Sequence, residues 1–328
     1  MSAVGMVLPS RPLPLDGIRT VGFRTGASYV KRIFPWPACG IVLNCTTGSF
    51  QSIGSVGTAN GMVGGMAPPA GRVGGSAIDC LEVQLSPLVA AAVLHVSPVE
   101  LDDRLIALDE IWGADAERLR SRLVETDSWD LRFALVDDAL VRRYRESHRV
   151  DPEITDAWRR IRRTGGQVPV AALAHGYGWS RTRFWSRFKN QVGVSPKRAA
   201  RIVRFDRALR LVSAGVSLAA VAADCGYADQ SHLNRDFLEF AATTPGDLRD
   251  DPLWSGDPSW ALDETGTRRP HPPQVPEHLS KTPTKSPGDA GPMRSQLRNA
   301  ARALRFPALP VPDDPSAYSS ASRTEELS

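Results

Sequence analysis

LAHGYGWS at residues 173–180 and VAADCGY at residues 221–227 share one pattern of apolar, glycine and aromatic positions, 48 residues apart. Three later positions recur at a spacing of 49 residues: Phe184, Phe188 and Pro196 return as Leu233, Phe237 and Pro245. Chance seldom reproduces so many spacings, so the sequence predicts one structural unit that is used twice.

Each copy has the local features of two helices joined by a tight turn. Gly178 and Gly226 follow short apolar runs, at the place where the end of a helix favours a left-handed residue. Ser180 and Asp229 then stand where a side-chain oxygen can accept a free backbone N–H of the next helix. The pattern predicts a helix-turn-helix motif in both copies.

The second helix of each copy is predicted to be anchored on one face by an apolar i,i+4 pair. The opposite faces then carry Arg181, Thr182, Trp185, Ser186 and Lys189 in the first copy, and Gln230, Ser231, Asn234 and Arg235, with His232 near the helix start, in the second. Gln, Arg, Ser and Thr suit base edges. The positive side chains of Arg181, Arg183, Lys189 and Arg198 suit phosphates, which give affinity but no sequence information.

One helix is predicted between the copies, from Pro196 to Leu211. Proline is favoured at the first position of a helix, and Ile202, Phe205 and Leu209, with Val212, form an apolar stripe. At ~1.5 Å per residue the helix spans roughly 22 Å. A strut of that length can place two helices in successive major grooves, about 34 Å apart.

Basic charge is concentrated around the first copy. Between Trp158 and Arg210, fourteen Lys and Arg residues stand against one acid, Asp206, although the net charge of the chain is only +4. Such a run is often only a solvated face. Its coincidence with the doubled motif favours nucleic acid as the partner.

This region resembles the DNA-binding domain of the AraC/XylS family of transcription regulators, over about 100 of the 328 residues. The resemblance is most specific in the second copy, at SLAAVA (217–222), CGYADQSHLNRDF (225–237) and the closing Pro245. It implies a seven-helix module with two helix-turn-helix units. It also implies base contacts from Thr182, Trp185, Ser186, Gln230, Ser231, His232 and Arg235.

Two positions depart from the family pattern. Trp185 and Ser186 stand where the family often has Gln-Arg, which predicts a weaker first unit or stacking on a thymine methyl group. Ala242 occupies a glycine position, so a different helix end is expected there. Two alternatives stay open, one for each of two residues. Trp185 could belong to the core rather than to the DNA-contacting face, and His232 could contact a phosphate rather than a base.

The predicted fold class is α+β: a β-rich N-terminal domain with helices, formed as a small sheet or barrel, an all-α double helix-turn-helix domain, and a disordered tail. Strands are expected from Gly17 to about Ile106, where short β-favouring runs alternate with glycine turns, and helices over 107–146. The boundaries are 1–15 for a flexible N-terminus, 16–146 for a sensor or dimerisation domain, 152–250 for DNA binding and 251–328 for the Pro-rich tail.

The sequence contains no constellation typical of catalysis, metal binding or a cofactor. Only His95 of the six histidines lies within 16–146, which excludes a site of several converging histidines there. No GxxxxGK[ST] loop and no ordered Ser-His-Asp set occur. For want of these constellations, the sequence predicts that the protein is not an enzyme. Because there is no apolar run near 18 residues and no secretory start, it also predicts a cytoplasmic protein that contacts no membrane.

The sequence therefore predicts a sequence-specific transcription regulator that binds double-stranded DNA. The resemblance implies that the N-terminal domain senses a small-molecule effector, whose identity stays unknown, or mediates dimerisation. A homodimer and RNA polymerase stay open as further partners. The competing hypothesis is a ligand-binding or interaction protein in which the doubled motif is only a scaffold.

Overall fold

The computed structural model describes residues 5–11, 13, 15–24, 29–48, 50–53, 57–75, 79–144, 150–249 and 251. The described residues up to Asp251 fall within one compact unit. The predicted tail, 251–328, lies outside the described residues apart from Asp251.

The N-terminal part is β-rich, as predicted, but it is built from two antiparallel sheets where the sequence predicts one small sheet or barrel. Its strands are β1 (Gly5–Val7), β2 (Ile18–Arg24), β3 (Tyr29–Ile33), β4 (Cys39–Asn44), β5 (Phe50–Ile53), β6 (Gly57–Ala59), β7 (Gly61–Gly64), β8 (Gly71–Gly75), β9 (Asp79–Leu85) and β10 (Leu105–Ala107). The larger sheet has the order β1-β2-β9-β4-β7-β10 and the smaller sheet β3-β8-β5-β6. β1 lies within residues 1–15, the segment predicted to be flexible. It is the edge strand of the larger sheet and pairs with β2 through backbone hydrogen bonds.

Strand β9 shows how the larger sheet divides two environments. Its side chains alternate between the faces, and Leu81, Val83 and Leu85 are fully buried in the main hydrophobic cluster. Cys80, on the other face, packs against a smaller cluster that contains Phe50 and Met62. The main cluster includes residues of the following helices, so one face of the sheet is covered by them.

Four helices and a 3₁₀ helix accompany the sheets: α1 (Pro87–Leu94), the 3₁₀ helix (Pro98–Leu101), α2 (Leu108–Trp112), α3 (Ala114–Val124) and α4 (Trp129–Tyr144). The last three confirm the helical pattern of 107–146. Helix α1 was not predicted, because PLVAAAVL is apolar all round and has no helical period. A short apolar run of this kind cannot be told from a buried strand by periodicity.

The side chain of Arg132 fastens α4 to the larger sheet. This arginine is 2% exposed, and it donates to the carbonyl oxygen of Leu123 at 3.2 Å and to Asp79 Oδ2 at 3.1 Å. Its guanidinium also lies 5.0 Å from the centre of the Trp129 ring. A buried cation needs such partners, since an unpaired charge in the interior is costly. The helical layer therefore has a defined position on the sheet.

Seven helices form the C-terminal part, as the resemblance implies: α5 (Pro152–Arg163), α6 (Val170–Gly176), α7 (Arg181–Val192), α8 (Pro196–Ser213), α9 (Leu218–Asp224), α10 (Gln230–Ala241) and α11 (Pro245–Arg249). We call α5–α7 the first unit and α8–α10 the second unit. None of the described helices combines the length and the apolar character that a membrane-spanning segment requires.

The N-terminal part packs directly on this helical part. The main hydrophobic cluster runs through both, from Ile18 to Leu248. Four pairs connect them: Phe34 with Phe205, ring centres 6.5 Å apart, Arg32 with Asp251 at 2.6 Å, Asp102 with Arg198 at 3.3 Å, and the Pro98 carbonyl against Gly193. The last two place the 3₁₀ helix at the turn between α7 and α8.

Candidate nucleic-acid interface

The turn of the first unit has the predicted geometry. Gly178 adopts φ +66°, and its N–H donates to the carbonyl of His175 at 3.0 Å. The N–H of Trp179 reaches back to the carbonyl of Ala174 at 3.0 Å, which completes a Schellman motif. Ser180 then caps α7, because its hydroxyl oxygen accepts from the N–H of Arg183 at 3.2 Å.

The turn of the second unit repeats these bonds. Gly226 adopts φ +72° and donates to the carbonyl of Ala223 at 3.3 Å, while Tyr227 donates to Ala222 at 2.9 Å. Asp229 caps α10 through Oδ1, which accepts from the N–H of His232 at 2.7 Å. The sequence repeat is therefore also a repeat of backbone geometry, and both predicted caps are confirmed.

The anchoring pairs determine which face of each recognition helix, α7 or α10, is turned outward. Phe184, Phe188, Leu233 and Phe237 are all fully buried. Phe184 and Phe188 pack with ring centres 5.8 Å apart, and Phe237 packs on the long helix α8 through Phe205 at 5.0 Å. The opposite faces of α7 and α10 are consequently free to meet a partner.

The outward face of α7 forms an open groove of about 510 Å³. The groove is lined by Arg181, Thr182, Trp185, Ser186, Lys189, Asn190 and Ser195. The structure thus brings together all three base-contact positions predicted for the first unit and two of the predicted phosphate contacts. Asn190 and Ser195 were not predicted, although Asn190 lies four residues after Ser186 and so falls on the same helical face.

Trp185 takes part in both the core and the groove. Its ring packs edge-on against Phe184, with centres 5.7 Å apart, and the guanidinium of Arg181 lies 5.6 Å from its centre. The residue is half-buried. The two alternatives for this residue therefore overlap, because one ring can pack on the core and still form part of the groove surface.

On α10, Gln230, Ser231 and Arg235 are exposed, as a surface that contacts bases requires. His232 is half-buried: its ring stands perpendicular to Tyr227, with centres 5.2 Å apart. Its Nδ1 accepts from the N–H of Ala228 at 3.5 Å. The ring of His232 is therefore held against the turn of its own unit.

The predicted phosphate contacts are in different situations. Arg181 and Lys189 line the groove, and Arg183 is exposed with its guanidinium 4.5 Å from the centre of the Trp179 ring. Arg198 is instead paired with Asp102 of the N-terminal part. Ion pairs hold at least seven of the fourteen basic side chains counted above: Arg160, Arg187, Arg198, Arg201, Arg204, Arg207 and Arg210. The charge run is thus partly a structural network, and its exposed part includes α7.

Helix α8 is the helix predicted between the two copies of the helix-turn-helix motif. It runs from Pro196 to Ser213, two residues beyond the predicted end, and is about 27 Å long at 1.5 Å per residue. Ile202, Phe205, Leu209 and Val212 are buried, which confirms the apolar stripe. The two recognition helices are therefore held by one continuous element.

The described residues contain no group of three or more His, Cys, Asp and Glu side chains placed to hold a metal ion. Cys225 is fully buried beside the second turn, and burial raises the pKa of its thiol to about 12. The thiol therefore stays protonated at neutral pH and acts as a small apolar side chain.

Two helix-turn-helix units joined by a rigid helix define a class of DNA-binding domain. Residues 173–251 match the family described as "Helix-turn-helix domain", and this part of the chain is a DNA-binding helix-turn-helix domain of the AraC type, a domain of transcription regulators. None of the curated proteins compared with the chain matches it.

The solved structures that are similar to the chain include the following three. ToxT from Vibrio cholerae O395 is 12% identical over 73% of this chain and 99% of that chain, with a TM-score of 0.39. The C-terminal domain of AraT, a response regulator from Geobacillus stearothermophilus, is 18% identical over 31% and 88%, with a TM-score of 0.30. The xylose-binding transcription activator XylR is 25% identical over 30% and 27%, with a TM-score of 0.27.

Proposed function

We propose that the chain is a sequence-specific transcription regulator that places α7 and α10 in successive major grooves of DNA. The observation that carries this proposal is the repeated presentation of polar side chains on two helices whose opposite faces are anchored in the core. The α8 strut is of the right order of length to span one helical turn of the duplex, about 34 Å, together with the breadth of the flanking helices.

In this proposal the two helices contact bases through different chemistry. Gln230 suits adenine and Arg235 suits guanine, each through two hydrogen bonds. Thr182 and Ser186 offer single hydroxyl groups, and the Trp185 ring offers an apolar surface for a thymine methyl group. Arg181, Arg183 and Lys189 supply phosphate contacts, which fix position on the duplex without selecting a sequence.

We also propose that the N-terminal part, within 16–146, controls DNA binding through the turn after α7. Its 3₁₀ helix lies against Gly193, and Asp102 holds Arg198 at 3.3 Å. A phosphate and Asp102 would compete for the same guanidinium. An effector that moves the 3₁₀ helix would therefore change the number of phosphate contacts, and with it the affinity for DNA.

The test is selection of bound DNA from a random pool by the full chain, followed by binding titrations. We expect a motif of two blocks about one helical turn, 10–11 base pairs, apart. On the selected DNA, Arg235→Ala should reduce discrimination at one or two base pairs by roughly 5–150-fold. Lys189→Ala should instead weaken selected and random DNA alike and reduce the salt dependence by about one phosphate contact.

The competing scaffold hypothesis makes the opposite prediction. If no sequence is enriched and the chain binds selected and random DNA equally, the sequence-specific function is wrong. If a motif is enriched but Arg235→Ala and Lys189→Ala behave identically, the assignment of α10 as a base-contacting helix is wrong. Asp102→Asn tests the control step separately, since it should increase affinity for all DNA.

A further inference from the structure

The residue before the second anchoring phenylalanine carries opposite charge in the two units. The spacing of 49 residues that aligns Phe188 with Phe237 also aligns Arg187 with Asp236. Both side chains pair with the helix that opens their own unit: Arg187 with Asp151, the N-cap of α5, and Asp236 with Arg201 and Arg204 in the first half of α8. The recognition-helix members of the two pairs thus have the same place in the repeat and opposite charge.

In the first unit this ion pair is exposed. Arg187 donates through Nε and Nη2 to the two carboxylate oxygens of Asp151, at 2.8 and 2.7 Å. Gln191, one turn further along α7, adds a bond from Nε2 to Asp151 Oδ2 at 2.9 Å. The Arg187 side chain is 51% exposed, so water and salt screen the pair.

In the second unit the corresponding pair is buried. Asp236 is 1% exposed, and its Oδ1 accepts from Arg201 Nη2 at 2.7 Å and from Nε at 3.3 Å. Its Oδ2 lies 3.5 Å from Arg204 Nη2 without forming a hydrogen bond. Arg201 also donates to Glu239 Oε1 at 3.0 Å. Burial opposes the charge of Arg201, but the hydrogen bonds that it donates to Glu239 and Asp236 raise its pKa.

We propose that Asp236 is a positioning residue, which holds the second recognition helix at a fixed angle on α8 through Arg201 and Arg204. Asp236 is 1% exposed and its carboxylate is paired inside the protein, so it would act on Gln230 and Arg235 only through the orientation of α10. This inference rests on the proposed function. It adds that Asp236 supports base discrimination by the second unit.

The reversed sign also decides which surfaces pair within the repeat. If α10 docked on the α5 surface, Asp236 would face Asp151. If α7 docked on the α8 surface, Arg187 would face Arg201. Both exchanged arrangements place like charges together in a partly desolvated site, which is unfavourable. Each recognition helix is therefore directed to the opening helix of its own unit.

The experiment measures discrimination at each block of the selected DNA with the full chain. Two mutant duplexes are used, one with the first block scrambled and one with the second, at a temperature where circular dichroism shows every variant folded. For Asp236→Asn we expect discrimination at the second block to fall at least about tenfold, and discrimination at the first block to change less than about twofold.

Two further variants keep the inference testable if Asp236→Asn does not fold. Arg201→Lys retains a cation but loses the paired geometry, so it should cause the same selective loss to a smaller degree. Glu239→Gln is the matched control, because it removes the exposed partner of Arg201 and leaves Asp236 in place; it should change both blocks less than about twofold.

The outcomes separate the two proposals. Equal losses at both blocks would mean that Asp236 has only a general structural role, and no loss at the second block would overturn the inference directly. Either result leaves the proposed function intact as long as the unmodified chain prefers the selected DNA. Absence of that preference would instead refute the proposed function.

Discussion

The two helix-turn-helix units have the same turn geometry and differ in what surrounds their recognition helices. Helix α7 carries Arg181, Arg183, Arg187 and Lys189 and no acidic residue, whereas α10 carries Arg235 together with Asp236 and Glu239. The turn after α7 lies against the N-terminal part, while α10 is held by buried ion pairs to α8. One scaffold thus carries two different distributions of charge.

This difference suggests a division of labour within the proposed function. Phosphate attraction is concentrated on α7, and the proposed control by the N-terminal part acts at the turn between α7 and α8. Base discrimination depends more on the second unit, where Gln230 and Arg235 are presented by a helix whose angle is set inside the protein. Substitutions at equivalent positions of the two units can break this comparison or sharpen it.

The largest expected effect is at Gly193, which aligns with Ala242 of the second unit. Gly193 adopts φ +97°, and a Cβ atom there would lie 2.7 Å from the carbonyl oxygen of Pro98. Gly193→Ala should therefore combine backbone strain with a clash against the N-terminal part. We expect the free energy of unfolding to fall by about 2 kcal/mol or more, which lowers the melting temperature by roughly 4–8 °C in thermal unfolding.

Gly215→Ala is the matched control for this prediction. Gly215 has a similar φ of +80°, but a Cβ atom added there would meet no other atom within 4 Å. The variant should be destabilised by backbone strain alone, by about 1 kcal/mol. Equal losses for the two variants would show that the contact with Pro98 contributes nothing to stability.

A smaller effect of opposite sign is expected at the equivalent position of the second unit. Ala242 ends α10 with φ +49°, in the left-handed region that favours glycine, although the residue is an alanine. Ala242→Gly should relieve that strain and stabilise the protein by about 0.5–1 kcal/mol. Thermal unfolding measures the gain, and Ala223→Gly, in an exposed helical position, should instead destabilise by about 1 kcal/mol.

The smallest effect is a pH dependence of the first-unit ion pair. The hydrogen bond from Arg187 holds the pKa of Asp151 below its usual value of 3.8. A depressed pKa means that this contribution to stability is present above that value and is lost as the pH falls through the pKa in the folded state. The small stability advantage over Asp151→Asn should therefore be constant from pH 5 to 8 and decrease as the solution is acidified below pH 3.8.

The difference in the free energy of unfolding between the unmodified chain and Asp151→Asn is measured by circular dichroism as the pH is lowered. An advantage that grows on acidification would contradict the ion pair. Because the pair is largely exposed, its contribution should also shrink in high salt.

Most of the helical part was predictable, because its signals are local. The glycines at 178 and 226, the caps Ser180 and Asp229, and the stripe of α8 depend on residues within one or two turns of each other. The outward set on α7 followed from the anchoring pair. The individual base contacts remain predictions, as do the domain boundaries.

Other features were not predictable, because they depend on residues far apart in the chain. Nothing near Arg198 indicates that Asp102, 96 residues earlier, takes up its charge. The partner of Asp236 lies 35 residues away, on a different helix. Helix α1 escaped prediction because it is buried on nearly all sides, so its sequence lacks a polar face that would mark the helical period.

Short-range stereochemistry was enough to establish the doubled helix-turn-helix motif: a glycine free to be left-handed, a capping oxygen and an i,i+4 apolar pair act within a few residues. The environment of a charged side chain cannot be established in this way, because the sequence shows the same arginine whether it faces water, a phosphate or a carboxylate. Only the tertiary structure decided that Arg181 and Lys189 line an open groove, that Arg198 is held by the N-terminal part, and that Asp236 is enclosed between helices. Those environments arise when distant segments pack together and exclude water.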